Sequence, residues 1–346
     1  MGAEAWAERI TYLRGTPWEM GYAMGRKLGG QLERNIRRYL ELRPALEAKL
    51  DYDRLHLGAL DYLNRLPERF RQELEGMAQG AGLPLQRLAE WQYIDPLLYP
   101  GCSGFVVTLD GRAWVGRNND MFAPEMWGYL TVHEPVGRIP AMTFGMEGDV
   151  FTPTGMNRAK LWLHCHSLEA LDAPGQGRPH LPSYVILSEA LETCANLGEV
   201  EALLGEIDRD DGMLLFAVDG KNGEIAVYEC GCREHIRHEP VEGVIIGTNH
   251  PLSELAGESD NSHSRYCRIQ ELLGEVLEQA GSPRLPEDLI AILGDDGVER
   301  RQPDFATVYS NVACPASGDA WYTFGGFPAA SRGNWAKAPD PWVWEA

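Results

Sequence analysis

In the segment Y-P-G-C-S-G-F, residues 99–105, a cysteine follows directly on a glycine at the start of an apolar strand. Gly101 can adopt backbone conformations that a side chain would forbid. If the Cys102 thiol attacks the Gly101 carbonyl, an N-to-S acyl shift and hydrolysis cut the chain between these two residues. Cys102 then carries both a thiol nucleophile and a free α-amino group that serves as its base. The sequence therefore predicts a nucleophile that self-cleavage turns into an N-terminus.

A β-hairpin brings a second motif to this cysteine. The apolar strand is followed by an Asp110-Gly111 turn of hairpin type, and the next strand leads into G-R-N-N-D at residues 116–120. Across such a hairpin Arg117 and Asp120 would lie beside Cys102. We expect the guanidinium to lower the pKa of the thiol and the carboxylate to orient the α-amino group. The alternative for both residues is a surface ion pair after a strand.

Short motifs along most of the chain occur in the order and spacing of a known family. They lie at residues 15–21, 101–102, 116–120, 155–157, 247–250, 264–266 and 307–312. With them the chain resembles the N-terminal nucleophile (Ntn) hydrolases. Among these it is similar to the penicillin acyltransferase-like (C45 peptidase) family, which is related to choloylglycine hydrolases and acid ceramidase-type amidases. The resemblance implies an α+β fold of the four-layer αββα type, autocatalytic cleavage between Gly101 and Cys102, and reaction at a linear amide bond.

The resemblance also divides the chain into two segments of one structural domain. Residues 1–101 would form a mainly helical N-terminal segment, and residues 102–346 the catalytic αββα segment. The charge changes at the same point, because residues 1–101 hold 14 Lys+Arg and 14 Asp+Glu, so the net charge of −20 lies wholly in residues 102–346. An acidic surface repels nucleic acid and anionic membranes, which we exclude as main partners.

The rest of the sequence limits location and cofactors. The first residues lack an apolar signal region, and no run approaches the length of a membrane span, so we expect a soluble, cytoplasmic protein. The seven cysteines form no disulfide-scaffold pattern. We expect no cofactor and no metal.

Two further residues match site positions of the family. Asn249 corresponds to an asparagine whose side-chain amide helps to hold the oxyanion, and Arg265 to a site arginine of the choloylglycine-like branch. The sequence leaves alternatives open, because Asn249 could only shape a turn before Pro251, and Arg265 could be a charge on a helix surface.

The chain departs from the family at Leu163–Ser167, where relatives usually carry asparagine at the end of a strand. His164 and His166 stand there instead, on one face of the strand, and one of them would replace that polar contact to the substrate. A metal site that adds Cys230 or Cys232 is the alternative, although no ligand spacing supports it.

The first hundred residues carry helical patterns. Thr16 and Glu19 fit a capping box, and apolar residues then recur at every fourth position over Met20–Leu40, which predicts one helix. A second helix is predicted over Leu55–Met77. Beyond Gly104 short strands alternate with helix pairs, which suits two packed sheets that are covered on both outer sides.

The expected function is that of a self-processing cysteine amidohydrolase or acyltransferase that forms an acyl-enzyme thioester at Cys102. Its partner is a small-molecule amide or acyl substrate, for which Trp114 and Trp127 would line an apolar pocket unless they belong to the core. The two fragments are expected to stay associated, and a homo-oligomer remains open.

The charge of the chain bears on the substrate. An acyl-CoA donor would bring phosphates to an acidic segment, which is unfavourable unless Arg112, Arg138, Arg158 and Lys160 form a basic rim. A neutral or cationic amide is therefore preferred. Two alternatives stay open: a biosynthetic acyltransferase that forms an amide or ester, and an unprocessed, non-catalytic binding protein of the same fold.

Overall fold

The computed structural model describes residues 7–41, 52–94, 101–254, 261–278, 282–303, 305–340 and 342. The strands, in chain order, are β1 (Ile10–Gly15), β2 (Gly101–Leu109), β3 (Arg112–Met121), β4 (Trp127–Pro135), β5 (Ala141–Met146), β6 (Thr154–Asn157), β7 (Leu161–Leu168), β8 (His180–Leu181), β9 (Asp208–Arg209), β10 (Gly212–Asp219), β11 (Glu224–Cys230), β12 (His235–His238), β13 (Val244–Gly247), β14 (Arg301–Gln302), β15 (Phe305–Cys314), β16 (Asp319–Phe324) and β17 (Asn334–Lys337). The helices are α1 (Pro17–Leu28), α2 (Gly30–Glu41), α3 (Tyr52–Arg65), α4 (Glu68–Ala81), α5 (Leu85–Ile94), α6 (Ser183–Thr193), α7 (Leu197–Glu206), α8 (Asn261–Glu278), α9 (Glu287–Leu293) and α10 (Ala329–Arg332).

Two large sheets pack face to face. The first has the order β1-β4-β5-β6-β7-β10-β11-β12, and the second the order β13-β2-β3-β15-β16-β17, with β14 beside β15. Val106 and Val115 of the second sheet share one core with Phe216 of the first. On the outer side of the second sheet Phe105 packs against α8 and α9, and α6 and α7 cover the first sheet. The four-layer αββα arrangement expected from the sequence is confirmed.

The described part of residues 1–101 belongs to the same core. β1, which the helical patterns did not predict, pairs in parallel with β4 at the edge of the first sheet. α1 and α4 cross closely, since a Cβ on Gly21 would lie 1.9 Å from the Glu73 carbonyl oxygen and one on Gly76 2.1 Å from the Trp18 carbonyl oxygen. The N-terminal segment is therefore a structural part of the sandwich.

Two predicted helices are each divided in the structure. Thr16 and Glu19 do form the capping box of α1, but Gly29, with φ of 51°, ends that helix before α2 begins. The apolar stripe nevertheless stays buried on both sides of the break, which is why periodicity alone predicted one helix. The second predicted helix is divided at Pro67, which stands between α3 and α4.

The β2–β3 hairpin positions the cysteine. Asp110 and Gly111 have φ of 50° and 72°, as a two-residue hairpin turn requires. In this register Cys102 faces Asn119, and Gly101 faces Asp120. No helix of the described residues is long and apolar enough to cross a membrane, and the cytoplasmic location stays a prediction.

Candidate active site

Cys102 lies at the start of β2 between the two sheets and is only 1% exposed. Its peptide nitrogen, the atom that cleavage would turn into an α-amine, donates to Asn249 Oδ1 at 2.8 Å. Its thiol accepts from Arg117 Nη2 at 3.5 Å and faces Asn119 Oδ1 at 3.7 Å. The hairpin therefore places the thiol and the adjacent nitrogen in one polar network.

Arg117 carries a fully buried cation. Nη1 donates to Thr154 Oγ1 at 2.5 Å and to the Tyr309 hydroxyl at 2.7 Å, and Nη2 donates to the Cys165 carbonyl at 2.9 Å besides its contact with Cys102. All of these acceptors are neutral, and within the described part of the chain no carboxylate lies within ion-pair distance of Arg117. A buried cation without a carboxylate stabilises any anion that forms beside it, and the Cys102 thiol is in direct contact with it.

The protonation of Cys102 differs from the expectation. Burial raises the pKa of the thiol, and this exceeds the lowering by the Arg117 guanidinium. The sequence predicted the influence of the cation but not the enclosure that outweighs it. In the intact chain Cys102 is therefore a protonated, enclosed thiol.

Asp120 lies beside Gly101, the residue that precedes Cys102. A Cβ on Gly101 would lie 3.1 Å from Asp120 Oδ2. Asp120 Oδ1 accepts from the Thr307 hydroxyl at 2.7 Å, and Oδ2 lies 3.7 Å from Arg265 Nη1. Burial raises the pKa of this carboxyl, while Arg265 and Thr307 act against that rise. The carboxyl group therefore lies next to the residue that precedes Cys102.

Asn249 and Arg265 approach Cys102 from the loop after β13 and from α8. Asn249 Oδ1 accepts from Cys102 N and from Arg265 Nη2 at 3.0 Å, and Nδ2 donates to the Ser167 carbonyl at 3.0 Å. Arg265 Nη1 donates to the Cys102 carbonyl. Arg265 is 3% exposed, so the alternative of a helix-surface charge is wrong. The contact with the Ser167 carbonyl uses one of the two hydrogens of the Asn249 amide nitrogen.

His164 and His166 lie on the inner face of β7, where the His164 ring stacks on Phe216 at 4.4 Å and the His166 ring contacts the same phenyl ring at 4.9 Å in a tilted arrangement. His164 Nδ1 accepts from the Trp162 indole at 2.9 Å, and His166 Nδ1 lies 3.0 Å from the Thr248 carbonyl, to which it can only donate. Burial lowers the pKa of both residues well below the usual value, so both are neutral.

The pair closes tightly over β2. A Cβ on Gly104 would lie 3.1 Å from His164 Nε2 and 3.2 Å from His166 Cε1. The two imidazole rings therefore cover β2 at Gly104, two residues after Cys102, and form the floor of the site. Among the described residues no three His, Cys, Asp or Glu side chains are grouped as metal ligands, and Cys232, from the alternative metal set, contacts Asp172 instead.

The two tryptophans expected at the substrate pocket lie in different places. Trp127 stacks on Tyr309 with 5.7 Å between ring centroids, and Tyr309 in turn contacts Arg117. Trp114 belongs to the outer face of the second sheet, where it stacks on Trp321 at 6.0 Å. The structure does not bring Trp114 to Cys102.

Several polar residues of the site were not singled out from the sequence. They are Thr154, Tyr309, Thr307, Ser262 and Asn119, which contact Arg117, Asp120, Asn249 or Cys102. A signal existed for Tyr309 and Thr307, because both stand in the motif at residues 307–312. Thr154 and Ser262 had no such signal, since a lone hydroxyl residue beside a turn is common.

Comparisons with known proteins agree with this architecture. A sequence model of the family described as acyl-coenzyme A:6-aminopenicillanic acid acyl-transferase matches residues 107–327, a span that begins just after Cys102 and contains the other four expected catalytic residues. Among solved structures, penicillin V acylase from Agrobacterium tumefaciens is similar with a TM-score of 0.50 at 16% identity, over 68% of this chain and 85% of that chain. Conjugated bile acid hydrolase from Clostridium perfringens has a TM-score of 0.49 at 15% identity, over 69% of this chain and 96% of that chain. No curated protein sequence matches the chain.

Proposed function

Since the chain belongs to the acyl-coenzyme A:6-aminopenicillanic acid acyl-transferase family, we propose that it is a self-processing cysteine Ntn amidohydrolase or acyltransferase with Cys102 as its nucleophile. The observation that carries the proposal is the contact pair at Cys102. Its nitrogen lies 2.8 Å from Asn249 Oδ1 and its thiol 3.5 Å from Arg117 Nη2, so base and nucleophile are held together.

Self-cleavage is the first step. The Cys102 thiol attacks the Gly101 carbonyl carbon, the peptide C–N bond breaks, and the thiol proton passes to the departing nitrogen. Water then hydrolyses the thioester and leaves a Gly101 carboxylate and a free Cys102 thiol. The new α-amine faces Asp120, which orients it.

Turnover uses the same atoms on a linear amide. The α-amine takes the thiol proton, and Arg117 stabilises the thiolate as it attacks the carbonyl carbon of the substrate. Asn249 Nδ2 donates to the developing oxyanion, while Arg265 holds Asn249 Oδ1 and the Cys102 carbonyl. The intermediate collapses to an acyl thioester as the leaving amine takes the proton from the α-ammonium. Water or a second amine then releases the acyl group.

The floor of the site would shape the substrate pocket. His164 and His166 close the space below Cys102 with neutral rings, and Trp127 supports Arg117 through Tyr309. We therefore keep these three residues as proposed substrate-site residues and leave out Trp114, which lies on the far side of the sheet.

Charge favours a neutral or cationic amide over an acyl-CoA donor. Arg112 begins β3 at the hairpin turn, at the opposite end of β2 from Cys102. Lys160 donates to the carbonyl of Ala316 at that same end, and Arg138 pairs with Glu189. Arg112, Lys160 and Arg138 therefore do not form the basic rim that CoA phosphates would need at Cys102.

The two fragments would stay associated after cleavage. Arg69 on α4 pairs with Glu192 on α6, and Arg65 on α3 pairs with Asp210 at 2.9 Å. β1 adds a strand to the first sheet, as described above. Separation would expose this core and leave buried charges without partners.

Acyl transfer in a biosynthetic reaction is the second candidate, favoured by the description of the matched family. It requires that a bound amine or alcohol intercept the thioester before water does. Product analysis with and without added amines distinguishes the two outcomes.

Intact-mass spectrometry of the purified protein tests the proposal. We expect fragments of 101 and 245 residues, since 346 minus 101 is 245, with Cys102 at the N-terminus of the larger fragment. Cys102→Ala should stay whole and inactive on a chromogenic N-acyl amide, whereas Cys267→Ala, a cysteine outside the site, should be cleaved and active. A wild-type chain that remains whole after long incubation would favour the non-catalytic binding protein.

A further inference from the structure

Ser262, in the first turn of α8, lies at the centre of a hydroxyl and imidazole cluster behind Asn249. Its Oγ accepts from the Asn249 backbone nitrogen at 2.8 Å. The same Oγ lies 2.9 Å from Thr248 Oγ1 and 2.9 Å from His250 Nδ1. One side chain therefore contacts three consecutive residues of the loop that presents Asn249.

The hydrogen bonds of this cluster fix the direction of two contacts, those of the Thr248 hydroxyl and of the Asn249 backbone nitrogen. Thr248 Oγ1 lies 3.0 Å from the Ser262 carbonyl, which can only accept, so the Thr248 hydroxyl donates there. The Ser262 hydroxyl keeps one hydrogen for Thr248 or His250 and uses a lone pair for Asn249 N. Ser262 is buried, so its oxygen is fixed by protein contacts.

The cluster is connected to Asn249, the proposed oxyanion donor, through the backbone and through hydrogen bonds. Ser262 holds the Asn249 backbone, while Arg265, one turn later on α8, holds Asn249 Oδ1 at 3.0 Å. From the other side His166 donates to the Thr248 carbonyl at 3.0 Å. The first turn of α8 thus forms hydrogen bonds with both the backbone and the side chain of Asn249.

We propose that Ser262 is a positioning residue of the reaction: its hydroxyl sets the backbone of Asn249 and thereby aims the Asn249 amide at the oxyanion. This inference rests on the proposed function of Cys102 and Asn249. Ser262 itself touches neither Cys102 nor the reacting carbonyl. A small displacement of a catalytic group costs up to roughly 10²-fold in rate, so the loss of the hydroxyl should act on turnover more than on binding.

Kinetics of four variants on a chromogenic N-acyl amide test the proposal, with cleavage completed and verified by mass. Ser262→Ala should lower kcat by roughly 10- to 100-fold with a smaller change in KM. Ser282→Ala, at an exposed serine before α9 and outside the site, is the control and should keep wild-type kinetics. Ser262→Thr keeps a hydroxyl and should retain most of the wild-type rate. Ser262→Val, in which valine has the shape of threonine but no hydroxyl, should not.

A double-mutant cycle separates positioning from general damage to the fold. If Ser262 acts through Asn249, Ser262→Ala should have little further effect on kcat in an Asn249→Ala background, because coupled residues are not additive. Full additivity, or a Ser262→Ala enzyme at wild-type kcat, overturns the positioning role. If Ser262→Ala fails to fold, Ser262→Thr and Ser262→Val take its place. A higher kcat for the threonine variant supports the positioning role, and equal kcat values overturn it.

The proposed function and this inference fail in different ways. An active Cys102→Ala enzyme would remove the nucleophile and the function together. An inactive Cys102→Ala enzyme beside a fully active Ser262→Ala enzyme would remove only the role of Ser262.

Discussion

Removing the hydroxyl of Tyr309 tests whether Arg117 is held in place for catalysis. The hydroxyl accepts from Arg117 Nη1 at 2.7 Å and lies 2.9 Å from Thr154 Oγ1, and the side chain is buried. Tyr309→Phe therefore deletes one charge-assisted hydrogen bond, together with the contact to Thr154 Oγ1, without changing the ring. A hydrogen bond to a charged group contributes about 1.5–3 kcal/mol, so the free energy of unfolding should fall by that amount.

Tyr228→Phe is the matched control for this change. The Tyr228 ring is equally buried, in β11, and its hydroxyl donates to the Leu197 carbonyl at 3.2 Å, a neutral hydrogen bond. Its loss should cost about 0.5–1.5 kcal/mol. The Tyr309 variant should also lose about tenfold in kcat, because the guanidinium that contacts the thiol is less well oriented, whereas the Tyr228 variant should not.

Urea unfolding measures the stability of both variants in a Cys102→Ala background, so that every protein is one uncut chain. Steady-state kinetics on the cleaved enzymes measures the rate. If the two tyrosine variants lose the same stability and both keep wild-type kcat, the Arg117 contact has neither the energy nor the role assigned to it.

Three further predictions follow from the contacts at the site and in the core. Asn249→Ala should lower kcat by about 10²- to 10³-fold, as expected for an oxyanion donor, and a loss below tenfold in cleaved enzyme would contradict that role. Activity of the wild type should rise through the neutral range as the Cys102 α-amine loses its proton, and a flat pH profile would mean that another group is the base. Burial lowers the pKa of His133 to about 4. Because an unfolded histidine titrates near 6.5, the unfolded chain binds a proton that the native chain does not, and stability should fall as pH falls from about 6.5 to about 4. Thermal unfolding of His133→Gln over that range should show a smaller decline, and identical slopes would refute the assignment.

The hairpin and its motifs could be predicted from the sequence because a two-residue turn sets the register of both strands. Once Asp110-Gly111 is recognised as the turn, Arg117 and Asp120 necessarily lie near Cys102. The family match confirms the resemblance that those motifs indicated. The break at Gly29 was not predictable in the same way, because the apolar stripe continues through it.

Contacts between residues that are far apart in the sequence could not be predicted from local sequence patterns. Tyr309 reaches Arg117 across 192 positions of sequence, and the pairing of β15 with β3 shifts register between Thr307 and Tyr309. This irregularity sets Thr307 opposite Asp120 and Tyr309 opposite Asn119, which strict alternation does not forecast. The burial of Arg265 likewise depends on how α8 packs on the sheet, which the pattern of residues within the helix does not predict.

Cleavage would change the charges beside Cys102 in a way that opens the site. In the intact chain the Cys102 nitrogen is an amide, which cannot accept a proton, and burial keeps the thiol protonated. Hydrolysis creates an amine at Cys102 and a carboxylate at Gly101. A Cβ on Gly101 would lie 3.1 Å from Asp120 Oδ2, so two carboxylates would share one enclosed space.

Because Asp120 and the new Gly101 carboxylate repel each other while Asp120 attracts the new amine, we expect the end of the N-terminal fragment to move away and the amine to stay. That movement would free space next to the Cys102 thiol, where we propose that the leaving group of a substrate amide lies. A crystal structure of the cleaved protein with Gly101 still paired to Asp120 would contradict this, and would leave Cys102 without a route to its substrate.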